Sequence, residues 1–137
     1  LLPFGKARIV QEGGELTVIC WGAMVQKTLD ACRQLNFDSG VIEIIDLRTL
    51  NLLDMETIEL SIKKTGKVLV VYEDNVTNGP GAEISALIAD RYFEWLDGPV
   101  KRVAAKDCPV PYNWYLEEKI LPQTEDIVES LKDLLEY

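Results

Sequence analysis

The sequence predicts an α/β domain with three layers, in which helices cover both faces of a mostly parallel five-stranded sheet. Three short apolar runs have the β-branched composition of strands that are buried on both faces: Leu16–Trp21, Val41–Asp46 and Lys67–Tyr72. Apolar residues recur at helical spacing after each of these runs. This alternation of strand and helix favours parallel pairing with right-handed crossovers.

The first half of the chain supplies the outer strand and the first crossover. Lys6–Val10 predicts a short strand, which we expect to lie antiparallel at the edge of the sheet. Gly13-Gly14 and Asp38-Ser39-Gly40 predict turns. Between these turns, the strand from Leu16 is followed at Gly22 by a helix over about 23–36.

The second half carries clear helix-end signals. Asp54 is expected to cap a helix that runs to about Lys64, and Gly66 is expected at its left-handed end. A second helix is predicted over 81–96, followed by a strand over 100–104 and an extended proline-rich segment over 108–112. Thr124 is predicted to cap the last helix.

Size and charge exclude several classes of protein. With 137 residues the chain is expected to form one domain over 1–137, and its start at Leu1 without Met predicts a fragment of a longer chain. The net charge of −9 disfavours nucleic acid and suits a basic protein partner, although the acids also serve solubility. No apolar run approaches the length of about 20 residues that spans a bilayer, so no membrane partner is expected.

The cysteine and histidine counts limit the chemistry. The three cysteines match no disulfide or metal spacing, which suits a reducing cytoplasm. The absence of histidine removes the commonest general base and zinc ligand. An autonomous catalytic domain is therefore less expected.

Polar loops after the parallel strands are nevertheless candidate sites, because ligands usually bind beyond the carboxyl ends of such strands. One loop offers the side chains of Asn75 and Asn78 and the flexible backbone of Gly79 and Gly81 for an anion. The alternative, which we favour, is a loop that contacts another domain. No GxGxxG or GxxxxGK[ST] nucleotide motif accompanies it.

Two further groups have both a functional and a structural interpretation. Asp46 and Arg48 face the same way and could act as an acid and an anion clamp, but an ion pair that ties their loop to a neighbouring helix is favoured. The aromatic residues Tyr112, Trp114 and Tyr115 could anchor an interface or pack the proline-rich crossing onto the sheet edge. The sequence favours neither alternative for the aromatic residues.

An ordered set of motifs runs through nearly the whole chain: Pro3-Phe4-Gly5-Lys6-Ala7-Arg8, Gly22-Ala23-Met24-Val25, Asp46-Leu47-Arg48-Thr49, Gly81-Ala82-Glu83-Ile84, Pro99-Val100-Lys101-Arg102-Val103-Ala104 and Pro109–Pro111. This set resembles the C-terminal domain of transketolase-like thiamine diphosphate enzymes, specifically the E1 β subunit of 2-oxoacid dehydrogenase complexes. The Asp-Cys-Pro-Val-Pro run favours the branched-chain and general 2-oxoacid members, so branched-chain 2-oxoisovalerate is the expected substrate, with pyruvate as the alternative. The chain departs from the family pattern at Tyr72, where His is common, and at Asn78-Gly79-Pro80-Gly81.

The resemblance implies an assembly and docking domain that is inactive alone, with no catalytic residue, no cofactor-binding residue and no metal ligand in this chain. The parent E1 enzyme would oxidatively decarboxylate a 2-oxoacid on thiamine diphosphate and Mg²⁺, bound by other E1 domains or subunits, and pass the acyl group to lipoyl-E2. The E2 peripheral subunit-binding domain would dock at Asp97 and Tyr137, with Glu136, Asp133 and Glu118 adding negative charge. The alternatives are a stand-alone flavodoxin-like module that binds a small anion, and an interaction domain without an enzyme parent.

Overall fold

The computed structural model describes residues 3–37 and 40–137, so Asp38 and Ser39 of one predicted turn lie outside it. Eleven elements follow one another along these residues. They are β1 (Arg8–Gln11), β2 (Gly13–Cys20), α1 (Ala23–Gln34), β3 (Gly40–Asp46), α2 (Met55–Thr65), β4 (Val68–Asn75), α3 (Pro80–Tyr92), a 3₁₀ turn (Phe93–Trp95), β5 (Lys101–Ala105), α4 (Trp114–Glu118) and α5 (Thr124–Leu135).

The five strands form one sheet in the order β1-β3-β2-β4-β5. Strand β1 runs antiparallel to β3, and the other three pairings are parallel. The carboxyl ends of β2, β3, β4 and β5 therefore gather at one edge of the sheet. The predicted fold class, including the antiparallel edge strand, is confirmed.

The core is divided by the sheet into two apolar layers. Successive residues of a strand point to opposite faces, so Val18 packs towards α1 and α5, whereas Ile19 packs towards α2 and α3. The same alternation places Val71 and Tyr72 on opposite faces of β4. Side chains on both faces of β2 and β4 are fully buried, which explains why these strands appear as continuous apolar runs in the sequence.

The ends of α2 form as predicted. The Asp54 carboxylate accepts hydrogen bonds from the backbone N–H of Thr57 at 3.3 Å and from the backbone N–H of Ala7 at 3.0 Å. Gly66 adopts φ 68° at the other end and donates its N–H to the Ile62 carbonyl at 2.8 Å. Asp54 thus caps the helix and also holds the segment that leads into β1.

Three local predictions were wrong, and one short helix was not predicted at all. Gly13 and Gly14 begin β2 instead of forming a turn, because a Cβ on Gly13 would lie 2.2 Å from the carbonyl carbon of Ile42 and only glycine permits this strand contact. Gln123, not Thr124, caps α5, through a capping box with Asp126. Helix α3 gives way to the 3₁₀ turn after Tyr92 instead of reaching Leu96. The helix that was not predicted is α4.

None of the helices in the described ranges has the length and apolar character that crossing a bilayer requires.

Candidate functional site

The loops at the carboxyl edge are built around the ring of Tyr72. Tyr72 is fully buried near the end of β4, and its ring stacks on Trp21 with 5.5 Å between centroids. Its phenol oxygen accepts a hydrogen bond from Nη1 of Arg102 at 3.1 Å. Arg102 also donates to the carbonyl of Val76, so one guanidinium joins β5 to the loop that follows β4.

The two glycines of the predicted anion loop fit closely against this ring. A Cβ on Gly81 would lie 2.0 Å from Cε1 of Tyr72, and a Cβ on Gly79 would lie 2.1 Å from the Asn75 carbonyl oxygen. No real Cβ approaches other atoms so closely. The geometry therefore explains both glycines by packing, without a ligand.

Asp46 and Arg48 are both engaged in fixing the chain near the end of β3. The Asp46 carboxylate accepts the backbone N–H of Arg48 at 3.1 Å, and Nη2 of Arg48 donates to the Ala7 carbonyl at 2.8 Å. Arg48 has φ 57°, which is uncommon outside glycine. The predicted ion pair with a neighbouring helix was wrong: within residues 3–37 and 40–137 Arg48 forms no ion pair, and it binds the segment before β1 instead.

A polar groove of about 560 Å³ follows the ends of β4 and β5. Asp107 holds one wall together, since it accepts the backbone N–H of Thr77 at 2.9 Å and the Thr77 hydroxyl at 2.6 Å. These two hydrogen bonds lower the pKa of the Asp107 carboxyl. Asn75 and Asn78 also line the groove. The sequence analysis missed Asp107, although an acid placed just after a strand was the available signal.

Asp97 and Tyr137 lie on a second groove, on the side of the domain formed by α3 and β5. This groove has a volume of about 750 Å³ and small side chains along α3. The Tyr137 ring packs against Gly98, where a Cβ would lie 3.0 Å from Cδ1 of the ring. The Asp97 backbone N–H donates to the Gly66 carbonyl at 2.7 Å, which anchors this corner to the end of α2.

The acidic residues that the resemblance assigns to the docking surface do not all line the groove of Asp97. The Asp97 carboxylate is exposed and forms no ion pair within the described ranges. Glu136 is exposed beside Tyr137 in the sequence but does not line the groove, and Asp133 pairs with Lys101 at 3.1 Å. Glu118 lines a different groove, beyond β5. The structure thus brings Asp97 and Tyr137 together without a large acidic patch.

A buried polar cluster under α2 was also missed by sequence analysis. Glu43 on β3 is almost fully buried. Its carboxylate accepts a hydrogen bond from the Ser61 hydroxyl at 2.5 Å and forms an ion pair with Lys64. The Thr17 hydroxyl extends the cluster, at 2.6 Å from Ser61 and 2.7 Å from Thr65. Burial alone would raise the pKa of Glu43, but the Lys64 ammonium and Ser61 outweigh it and hold the pKa below its ordinary value.

The part of the chain that the structure describes contains no cluster of three or more His, Cys, Asp or Glu side chains suited to a metal ion. In the loop proposed for an anion, the backbone of Gly81 packs against Tyr72, whereas Asn75 and Asn78 line the groove beyond β4 and β5.

Almost the whole chain is similar to known proteins. The family model described as the transketolase C-terminal domain matches residues 5–127. The chain is 40% identical over 131 residues to the pyruvate dehydrogenase E1 component subunit beta of Rickettsia bellii, covering 96% of this chain and 40% of the relative. It is 39% identical over 132 residues to the mitochondrial subunit of Dictyostelium discoideum, covering 96% of this chain and 37% of the relative.

A solved structure described as a split gene transketolase, inactive beta4 tetramer, superposes with a TM-score of 0.82. It covers 98% of this chain and 44% of the other, at 24% identity, and so supports the fold alone. The chain spans about two-fifths of the length of the curated relatives that it matches.

Proposed function

This chain belongs to the transketolase C-terminal domain family, and on that premise we propose that it is the C-terminal assembly and docking domain of the E1 β subunit of a 2-oxoacid dehydrogenase complex. The observation that carries the proposal is the 40% identity to a pyruvate dehydrogenase E1 β subunit over 96% of the chain. A scaffold role also suits the way in which Asp46, Arg48 and Asp107 hold neighbouring backbone in place through internal hydrogen bonds.

The parent enzyme would carry out the oxidative decarboxylation. We propose that thiamine diphosphate and Mg²⁺ bind in the other E1 domains or subunits and that this domain helps to hold those parts together. The names of the relatives favour pyruvate over the branched-chain 2-oxoisovalerate that the Asp-Cys-Pro-Val-Pro run suggested. The cytoplasmic location stays a prediction, because the relatives include a mitochondrial protein.

The E2 peripheral subunit-binding domain is the proposed partner at the groove of Asp97 and Tyr137. This groove combines an exposed carboxylate that lacks an ion pair in the described ranges with an exposed aromatic ring. A basic partner surface would find charge complementarity at Asp97 and apolar contact along α3. Glu136 would add charge at the rim of this surface.

An activity assay on the parent E1 enzyme tests this function. Purified parent enzyme is supplied with thiamine diphosphate, Mg²⁺ and an artificial electron acceptor, and reduction is followed with pyruvate or 2-oxoisovalerate. We expect reduction that depends on the 2-oxoacid, fastest with pyruvate. Preference for 2-oxoisovalerate would correct the substrate, and no activity with any 2-oxoacid would refute the proposed function.

A further inference from the structure

Five exposed large apolar side chains lie close together in the sequence on the segment between β5 and α5. We define the aromatic surface as the five large apolar side chains that this segment exposes: Val110, Tyr112, Trp114, Tyr115 and Leu116. Tyr112 is fully exposed, and no residue of α4 is buried. The alternative that these rings pack the proline-rich crossing onto the sheet edge was therefore wrong.

Two of the exposed rings contact each other, and one of them also contacts an ammonium group. Trp114 and Tyr115 meet edge to face with 6.0 Å between centroids, and the Lys119 ammonium lies 4.2 Å from the centre of the Tyr115 ring. Asn113 caps α4 by accepting the Tyr115 backbone N–H at 2.9 Å. Such contacts restrict the rotation of a ring, so less entropy is lost when a partner covers it, and Trp and Tyr are typical interface anchors.

The place of this surface in the fold indicates what covers it. The segment follows β5, so it lies on the side of the carboxyl edge of the sheet, and Val110 also lines the polar groove with Asn75 and Asn78. An apolar surface next to a polar groove has the composition of an interface core with its rim. Monomeric proteins rarely leave so many large apolar side chains together in solvent.

We infer that the aromatic surface is the contact through which this domain packs against the cofactor-binding part of its parent E1 enzyme. This inference rests on the proposed function. The chain spans only 40% of the Rickettsia bellii relative, so a large part of such an enzyme lies outside the chain and is available to cover the surface. The E2 docking groove is a separate surface that shares none of these residues.

Hydroxyl-radical labelling of the isolated domain and of the parent enzyme without E2 tests the inference. We expect the labelling rates of Tyr112, Trp114 and Tyr115 to fall severalfold in the parent enzyme. Equal rates in the two proteins, or protection that appears only after E2 is added, would overturn it. The electron-acceptor assay on the same sample reports the proposed function, so the two claims can fail separately.

A pair of variants in the parent enzyme gives a second test. Trp114→Ser removes an anchor from the aromatic surface, and Leu60→Ser changes a residue of α2 with similar exposure, 65% against 68% for Trp114. We expect Trp114→Ser to lower the Tm of the parent enzyme but not that of the isolated domain, and Leu60→Ser to lower neither. An unchanged Tm of the Trp114→Ser parent enzyme, or an equal fall in the isolated domain, would contradict the inference.

Discussion

Gly81 lies so close to the ring of Tyr72 that a single methyl group in its place would lie 2.0 Å from Cε1 of the ring. This contact joins the first turn of α3 to the end of β4 and fixes the course of the loop between them. Because Tyr72 also stacks on Trp21 and accepts a hydrogen bond from Arg102, the ring has little freedom to move aside. The loop is therefore part of the core packing.

Gly81→Ala should destabilise the domain. Overpacking of a well-packed core typically costs about 1–3 kcal/mol, and we expect a loss of free energy of unfolding in that range. Urea denaturation measures it. Gly14→Ala is the control, because the nearest atom to its added Cβ is the Gly40 carbonyl oxygen at 3.7 Å. Equal free energies of unfolding of the two variants would show that the loop adjusts to the added methyl group without cost, which would contradict tight packing against Tyr72.

The buried carboxylate of Glu43 should be needed for stability at neutral pH. Glu43→Gln keeps the shape of the side chain but leaves Lys64 without its buried partner. Since Lys64 is half-exposed, we expect a loss of about 1–3 kcal/mol in the free energy of unfolding, less than for a fully buried pair. Glu59→Gln, which removes the exposed pair with Lys63, should cost less than Glu43→Gln, because water screens that pair. A reversed order of these two losses would contradict the structure.

Acid should weaken the domain partly through Glu43. The pKa of Glu43 is lower in the folded protein than its ordinary value, so the unfolded chain takes up the proton first as the pH falls. The stability from ionised Glu43 is present above the unfolded pKa of about 4.3 and is lost as the pH falls through the folded value. Urea denaturation at several pH values should therefore show a smaller acid loss for Glu43→Gln than for the wild-type chain. If the free energy of unfolding fell equally with pH in both proteins, Glu43 would not contribute to the acid response.

Asp97 should contribute to E2 capture in a salt-dependent way. Asp97→Asn removes a charge that forms no ion pair within the described residues. We expect up to about tenfold weaker binding of a basic E2 binding domain at low salt, and a smaller difference at high salt. Asp74→Asn is the control, because Asp74 does not line the groove. Equal affinity of wild type and Asp97→Asn at every salt concentration would remove Asp97 from the site.

Much of the fold could be predicted because its central strands are buried on both faces. This burial appears in the sequence as the β-branched apolar runs of β2, β3 and β4. The ends of α2 are likewise recognisable, from the capping residue Asp54 and the left-handed Gly66. These signals are local in the sequence. Alternation of strands and helices then restricts the topology to a parallel sheet with few alternatives.

The errors concern features that depend on contacts between distant residues. Gly13 looked like a turn, because its close approach to Ile42 arises only when β2 pairs with β3. The same is true of Gly81 against Tyr72, and of Arg48, whose partner is the carbonyl of Ala7. Helix α4 has five residues, too few for a helical pattern to be visible in the sequence.

The candidate site could be predicted only in outline. Asp97 and Tyr137 were selected through the resemblance, and the structure places both on one groove. Glu136 and Glu118 were placed with them by charge alone, and neither residue lines that groove. Glu43 was read as part of a buried strand, since its partners on α2 become neighbours only in the folded chain.

We propose that this domain supports a thiamine enzyme without holding its cofactor. Calorimetric titration of thiamine diphosphate and Mg²⁺ into the isolated, cooperatively folded chain tests this proposal, with the parent E1 enzyme as the positive control. We expect binding heat for the parent enzyme and none for the isolated chain. Saturable binding to the isolated chain with an affinity similar to that of the parent enzyme would contradict it.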